Sequence, residues 1–521
     1  MNAAIHPIDI AILVAYVAAL AAVGVYMSRR QSNLEDFFLA RRSMSWLPVG
    51  LSLMAALNSG IDYVMQPSAT IRYGLILLVG TTSWVPLYFW VSHVTLPFYR
   101  QLKTYTAYEF LEARFDVRVR TLAAAIFLVW RLGWMATAIY VPCLAISATT
   151  GNQLDVTTMI LVLGALVTFY TMLGGIQAVI WNDVIQFFVM FSGLAATVWI
   201  ALSQVPGGLA EIATAAQIAG KTSLSTPLNA AEGTGLLGHV WLFFQQPINV
   251  VAILCALVFG RMAGYTSDQV MVQRFQTTKS LNDSRRAFVV NAAGDALWMI
   301  GLSFVGLALL AYFNHHPLPQ EFASDQILPY FMSQAFPPGA VGLVIAAILA
   351  ASLSSIDSAI NACTSVAMID GYQRLMIGRS VERNSTGSAA KREVLLSRGF
   401  TIAFGLLGTL LATNVSRIGS LLEIANKLVN AFSGPLFGIY VLAMFSRRTT
   451  AGPALIAGIA GSFTSYYVAY QTTIGFMWPS TFGLAATILV GIALSLATNA
   501  RPTPAALMLT WREVTSRGTG S

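Results

Sequence analysis

Residues 342–372 read GLVIAAILAASLSSIDSAINACTSVAMIDGY, and the rest of the chain is read outward from them. The stretch begins as an apolar helix of membrane type and turns polar partway along. Ala351, Ser354, Ser355 and Ser358 recur at i, i+3, i+4 and i+7, so they share one helical face, with Asp357 and Asn361 beside it. A carboxylate in hydrocarbon costs at least ~2.5–3.5 kcal/mol, so such a residue normally faces a cavity, an ion path or a partner. Hydroxyl and carbonyl oxygens, without a thiol or imidazole, suit a hard, oxygen-seeking cation. A lone serine in such a helix commonly serves close packing. A cluster of serines around an aspartate predicts an ion site instead.

Composition sets the surroundings. Of 521 residues, 56% are hydrophobic and 10% charged, with mean hydropathy +0.67, against roughly 25% charged in soluble domains. Long apolar runs joined by short polar loops predict an all-α polytopic membrane protein in a lipid bilayer. A barrel would instead show alternating segments of ~10 residues. The net charge of +8 would suggest nucleic acid in a soluble chain; here the loops account for it, and no nucleic-acid partner is expected. Cys143, Cys255 and Cys363 lie in apolar segments, which implies neither a disulfide framework nor a metal cluster. No cleavable leader is expected, since the first apolar run follows Asp9 without a basic region or a small-residue cleavage site.

Thirteen spans are predicted, at about 8–27, 45–67, 74–98, 119–149, 155–173, 176–203, 239–276, 285–313, 338–372, 397–414, 418–445, 450–470 and 479–499. Several exceed the ~20 residues needed to cross, so they must tilt, bend or project. Positive charge falls in alternate loops: Arg29, Arg30, Arg41 and Arg42; Arg100, Lys103, Arg114, Arg118 and Arg120; Lys279, Arg285 and Arg286. The same holds for Arg374, Arg379, Arg383, Lys391, Arg392 and Arg398, for Arg447 and Arg448, and for Arg501, Arg512 and Arg517. Intervening loops are almost bare, with Lys221 and Arg417 the main exceptions. The positive-inside rule then places the N-terminus outside and the C-terminus in the cytoplasm. Segments 204–238 and 314–337, rich in Ala, Gly, Pro and Ser, have room for short surface helices, and 377–394 reads as a solvated connector. The tail after Ala500 is too short for a further catalytic or sensor domain.

Two further spans are polar at depth. In SLMAALNSGIDYVMQPS (52–68), Asn58, Ser59, Gly60 and Asp62 interrupt an apolar helix ahead of Pro67. Local unwinding there would free carbonyl oxygens for an ion and N–H groups for an anion; a kinked but continuous helix is the alternative. In LVFGRMAGYTSDQVMVQRF (257–275), Gly260 and Gly264 bracket Arg261, with Asp268 and Gln269 beyond. This reads as a second broken helix five spans after the first, a pairing that points to a transporter binding site. For Arg261, snorkelling to the interface is the plainer alternative. Arg131, Asp183 and Asp295 are further buried polar candidates, Asp183 serving equally as a helix cap or as partner of a loop arginine. Glu423 and Lys427, at i and i+4, read as a structural ion pair.

Four passages then carry a resemblance to the sodium/solute symporter family: NLEDFFLARRSMSWLPVGLSLMAALNSG (33–60), YTMLGGIQAVIWNDVIQ (170–186), SDQVMVQRFQTTKS (267–280) and SLSSIDSAINACTSVAMIDGY (352–372). TYTAYEFLEARF (104–115) and MFSRRTTAGPALIAG (444–458) add to it. The combination is specific for the family and silent on the solute; within the family the sequence looks closest to the monocarboxylate, vitamin and iodide branch. The resemblance implies a LeuT-like fold of two inverted five-helix repeats and about 13 transmembrane helices. An extra helix and basic loop (1–44) would precede a first repeat (45–204) and an outer loop (205–238). A second repeat (239–446), two C-terminal helices (447–499) and a cytoplasmic tail (500–521) would follow. It also implies Na+ as the coupling ion, held by carbonyls of Ala55, Asn58 and Ala351 with the hydroxyls of Ser354 and Ser355. Some members hold a second sodium with an aspartate and two hydroxyls, positions that fall here on Asp183, Asp357 and Ser358. The carboxylate at Asp357 departs from that pattern and leaves a second Na+, a proton or neither open. Positions resembling solute contacts are Leu57, Ile61, Asp62, Arg261, Asp295 and Asn426. That set disfavours a neutral sugar and favours a small organic carboxylate, which an arginine binds bidentately. If Arg261 and Asp295 neutralise one another, an uncharged or zwitterionic solute fits instead.

The expected activity is Na+-coupled symport by alternating access. One Na+ moving down ~100 mV gains ~2.3 kcal/mol, and a tenfold gradient adds ~1.4 kcal/mol. Together these support concentration by roughly a few hundredfold, so no ATP site is needed, and no GxxxxGK[ST] motif is present. A channel would want rings of filter residues from an oligomer. A membrane enzyme would want a motif such as HExxH or GxSxG, and His6, His93, His239, His315 and His316 form none. A sensor would need an appended domain, although family relatives that act as sensor inputs leave room for a regulatory partner. Loop composition fits a bacterial inner membrane.

Overall fold

A computed structural model of the protein describes residues 6–28, 33–102, 104–149, 154–226, 235–318, 326–378, 388–415, 421–498 and 500–516, without the side chains of 28, 388 and 421–431. Arg29, Arg30, Lys103, Arg379, Arg383, Arg417 and Arg517 lie outside the described residues, as do the side chains of Glu423, Asn426 and Lys427. The described chain is helical, with a lone β-bridge between Met44 and Thr278. In an apolar solvent the backbone must satisfy itself within each segment, and a helix does this residue by residue.

Helix α1 spans Pro7–Ser28, and α2 (Trp46–Leu57) and α3 (Gly60–Tyr73) are the halves of one interrupted helix. A continuous helical run makes the next traverse: tight 3-10 turns over Gly74–Ser83, α-helix over Trp84–Trp90, a wide π turn over Val91–Thr95 and α-helix again over Leu96–Leu102. Then come α4 (Val117–Thr149) and α5 (Val156–Gln204), the latter bent at Gly175. With φ +54° and ψ −167°, Gly175 holds a backbone that only glycine adopts readily, so α5 is two helices joined directly across a kink, one in each of the stretches predicted as spans five and six. Helices α6 (Val250–Ser267) and α7 (Gln269–Gln276) form a second interrupted helix. The chain continues through α8 (Leu281–His315), α9 (Ala340–Val366, extended by wide turns to Met376), α10 (Ser388–Ala412), α11 (Leu421–Phe445), α12 (Ala451–Gln471) and α13 (Pro479–Ala497). Among the described residues nine helices are long and apolar enough to cross a membrane. Shorter apolar helices stand at Trp46–Leu57, Leu236–Gln245 and Phe432–Phe445, so the described residues show nine such spans against the thirteen predicted.

The predicted basic loops gather at one end of the bundle. The backbone N–H of Met44 donates to Thr277 O (3.0 Å), Arg42 donates to Thr104 O (3.2 Å) and Arg285 to Ser92 O (3.1 Å). Arg114 donates to Ser446 O (2.6 Å), and Arg447 pairs with Glu513 (2.7 Å). Half-buried Glu112 bridges Arg120 (2.8 Å) and Arg374 (2.7 Å), tying the start of α4 to the end of α9. At the opposite end Asp9 accepts the N–H groups of Gly339 (2.8 Å) and Gly342 (2.7 Å), and Gly475 N–H donates to Phe244 O (2.7 Å).

Helix α9 runs through the middle and packs most extensively against α5. Every residue from Ser352 to Val366 is buried, apolar and polar alike. Large apolar side chains such as Val14, Phe188, Trp199 and Leu489 point outward instead, the inversion expected where the surroundings are hydrocarbon.

Candidate functional site

The break between α2 and α3 generates the site. Asn58 (φ −97°, ψ 135°) and Ser59 (φ −119°, ψ 167°) are extended, so the helical ladder stops. Ser59 N–H, which would reach back to Ala55 O, donates to Asp62 Oδ2 (2.7 Å). Asp62 N–H donates to Ser59 O (3.0 Å) and leaves Asn58 O without its helical donor. The Asn58 side chain turns back onto Met54 O (3.1 Å), so this residue offers its carbonyl. Across the gap, Ser354 Oγ donates to Ala55 O (2.8 Å) and Ala351 O (2.9 Å). Ser355 Oγ lies 3.3 Å from Asn58 O, 3.3 Å from Ala351 O and 3.4 Å from Ala56 O, committed to none of them. Ala55, Asn58, Ala351, Ser354 and Ser355 are thus brought together, all buried. Such a cage of neutral oxygens is the donor set a hard monovalent cation takes. Close approach of α3 to α9 depends on Gly60, where a Cβ would sit 2.8 Å from Ile348 O and 2.1 Å from Ser352 Oγ.

The second break lies within the expected stretch, at its Asp268 end. Gly260 and Gly264 lie inside continuous α6, and a Cβ built on either meets nothing within 4 Å, so their effect is to leave open space. The interruption falls at Asp268, whose extended backbone (φ −91°, ψ 119°) caps α7 by accepting from Val270 N–H (2.9 Å). Arg131 of α4 pairs with the same carboxylate. Freed carbonyls at this break are already taken, Thr266 O by the Tyr99 hydroxyl (2.6 Å) and Ser267 O by the Tyr108 hydroxyl (3.0 Å). The two interruptions therefore differ chemically: one presents oxygens to hydroxyls that can turn, the other is closed by tyrosines.

Asp183, Asp357 and Ser358 also converge, around a residue that sequence reasoning missed. Arg274 of α7 donates to Asp183 Oδ2 (2.9 Å), Ser52 Oγ (2.8 Å), Val270 O (2.9 Å) and Ser358 Oγ. Its side chain is 1% exposed and that of Asp183 is fully buried. Asp183 is thus partner to an arginine, though one on an interrupted helix and not in a loop. Asp357 accepts from the Tyr170 hydroxyl (3.1 Å). Arg274 stands just ahead of the basic loop at Lys279, so nothing local marks it as buried.

Beside the first break lies a cavity of about 380 Å³, within the range of small-molecule sites. Leu57, Ile61, Asp62, Arg261 and Asp295 all line it, whereas the side chain of Asn426 is outside the described residues. Arg261 does not snorkel. Its side chain is 11% exposed, it donates to Asp295 Oδ2 (2.8 Å) and Ser83 Oγ (3.0 Å), and it stacks 4.1 Å from the ring centre of Trp84. The Trp84 indole also donates to Asp295 Oδ2 (2.8 Å). Arg131 and Asp268 line the wall toward the basic end, and Met477, from the turn before α13, the other side.

The sequence profile of the sodium:solute symporter family matches residues 37–461. Over 488 residues the chain is 31% identical to the sodium/sialic acid symporter NanT of Aliivibrio fischeri, covering 92% of this chain and 91% of that protein. The sodium-coupled monocarboxylate transporter 1 of Homo sapiens is 28% identical over 464 residues, 86% of this chain and 71% of that one. A solved structure of a Na+-coupled sialic acid symporter, described as substrate-bound and outward-open, superposes with a TM-score of 0.83 at 28% identity. It covers 96% of this chain and 99% of that chain. A nucleobase-cation-symport-1 transporter in a closed conformation shares the fold alone (TM-score 0.57, 13% identity, 92% and 98% covered). The chain belongs to the sodium:solute symporter family: it is a multi-pass membrane transporter of LeuT-like fold that couples solute movement to Na+, and not an enzyme.

Proposed function

We propose that the co-transported Na+ binds at the first break, on the carbonyls of Ala55, Asn58 and Ala351 and the hydroxyls of Ser354 and Ser355. The solute occupies the adjoining cavity, walled by Leu57, Ile61, Asp62, Arg261 and Asp295, with Asn426 assigned to the same wall from the sequence. The observation that carries this reading is the convergence of two serine hydroxyls on carbonyls that the break has deprived of their helical donors. Rotating either hydroxyl turns its lone pairs inward, so oxygen replaces water around the ion without moving the backbone.

The solute is read as a small organic acid. Similarity to sialic acid and monocarboxylate carriers supports this, as do the N–H groups that Arg261 retains beyond its bonds to Asp295 and Ser83. In this reading the Arg274 guanidinium takes the place of a second cation at Asp183 and Ser358, and Asp357 serves as acceptor for Tyr170. One Na+ then drives each cycle. Repeats at 45–204 and 239–446 rock against each other, the N-terminus faces outside and the basic end faces the cytoplasm of a bacterium. With the Glu112–Arg120–Arg374 bridge closed, the cavity is reached from outside, and Na+ and solute each favour the other's binding by about 1–3 kcal/mol.

Thermal unfolding of the purified protein with small carboxylates, in Na+ and again in choline, tests the reading. A ligand bound to the folded state alone raises stability by RT ln(1 + [L]/Kd). Stabilisation by a carboxylate only in Na+ is expected; equal stabilisation in choline would remove Na+ from the site.

A further inference from the structure

The walls of the cavity carry three carboxylates, Asp62, Asp268 and Asp295, against two guanidiniums, Arg131 and Arg261. Both guanidiniums are spoken for, Arg131 by Asp268 and Arg261 by Asp295. Among the described residues Asp62 is the one charged group on the wall without an ionic partner. Its Oδ2 is held by the Ser59 N–H (2.7 Å) and the Ser59 hydroxyl (3.1 Å), while among the described residues no other side chain donates to Oδ1, and the side chain is half-buried at the cavity edge. A simple carboxylate solute would add a second uncompensated negative charge to this space.

We infer that Asp62 is a specificity-determining residue and that the solute carries an ammonium group, received by Asp62 Oδ1, in addition to its carboxylate. This rests on the proposed reading of the cavity as the solute site and narrows the class from carboxylates to zwitterions. Three features of the wall favour an ammonium there. Oδ1 is a charged acceptor, and bonds to charged groups are the strong ones. Trp134, half-buried on α4 and packed with Ile61 and Met65, offers an aromatic face of the kind that attracts ammonium ions. With Na+ in the break, the cation and Asp62 balance, so a zwitterion enters a cavity of matching neutrality. Ile61, Met65, Leu257 and Met299 on the remaining wall suit an apolar body.

The test uses matched ligands that differ in one charge: L-leucine, 4-methylpentanoate and isoamylamine, with L-phenylalanine, 3-phenylpropionate and phenethylamine. Each is added to the purified full-length protein in Na+, and affinity is read from thermal stabilisation. The zwitterions are expected to bind roughly 10- to 100-fold more tightly than their des-amino partners, the factor a charge-assisted hydrogen bond supplies. In Asp62→Asn, which keeps the acceptor that caps α3, that ratio should fall to about one while the purified variant still unfolds cooperatively. Des-amino acids binding as well as the zwitterions, with the ratio unmoved in Asp62→Asn, would overturn the inference and leave Na+-coupled carboxylate binding standing. Amines binding as well as the zwitterions would keep the role of Asp62 and sink the carboxylate. No Na+-dependent shift with any of the six would overturn the inference together with the reading on which it rests.

Discussion

Replacing Arg274 by Met removes a guanidinium that makes four hydrogen bonds in a space closed to solvent, to Asp183, Ser52, Val270 and Ser358. The methionine fills much of the volume, so the loss is mainly electrostatic. Asp183 is left as a fully buried carboxylate with the Ser52 hydroxyl as its remaining donor (2.5 Å). Breaking a buried pair in this way costs about 3–5 kcal/mol, because the surviving charge is stranded. Asp183→Asn strands Arg274 and should cost a similar amount. The double variant should lose markedly less than the sum, since neither charge remains, with a coupling energy of about 2 kcal/mol or more. Arg274→Ala, which unlike methionine empties the space beside Asp183 and Ser358, should in addition be stabilised by Na+ more than the unmodified protein is. Denaturant unfolding of the purified protein, in Na+ and in choline, reads both quantities. Additive losses, or no extra response to Na+, would refute the assignment of Arg274 as the resident cation.

Two other expectations follow from the same geometry. Gly60→Ala places a methyl group 2.8 Å from Ile348 O; pushing α3 away from α9 should cost about 1–3 kcal/mol and weaken Na+ binding, read as a right-shifted Na+ dependence of thermal stability. At the basic end, burial pushes the Glu112 carboxyl up, but hydrogen bonds from Arg374 and Arg120 outweigh it and hold the group below the ordinary range. A carboxyl lowered in the folded state contributes above its unfolded pKa of about 4.3 and is lost as pH falls through the lowered value. The bridge should therefore persist from pH 8 to 5, whereas Glu112→Gln opens it at any pH; labelling of a cysteine introduced near Arg374 measures both.

How much of this was legible depended on whether the cause was local. The first break was readable because Asn58, Ser59, Gly60 and Asp62 are adjacent and each disfavours a continuing apolar helix. Likewise the serine stripe of α9 follows from helical periodicity alone. The second break was readable as lying within 257–275, but not its exact place, since a glycine costs a helix only about 1 kcal/mol relative to alanine and Gly260 and Gly264 do not interrupt it. What interrupts the chain is Asp268, held by Arg131 across 137 residues of sequence, a partnership with no local signature. The same holds for Arg274, whose partner Asp183 lies 91 residues away, and for the Trp84 indole on Asp295, 211 residues away. The charge balance of the cavity depends on such distant pairings, so the solute class could not be read before the fold was known.

The most direct test of the account is uptake into proteoliposomes of a solute found by the stability screen, driven by an inward Na+ gradient. The comparison is between the unmodified protein and the Ser354→Ala, Ser355→Ala double variant. Both hydroxyl ligands are gone from that variant while the fold keeps its apolar contacts. Accumulation that requires Na+ in the unmodified protein and is abolished in the variant, with the purified variant still unfolding cooperatively, is the predicted result. Unchanged Na+ dependence in the variant would contradict the account, since the ion would then couple to transport somewhere other than the break between α2 and α3.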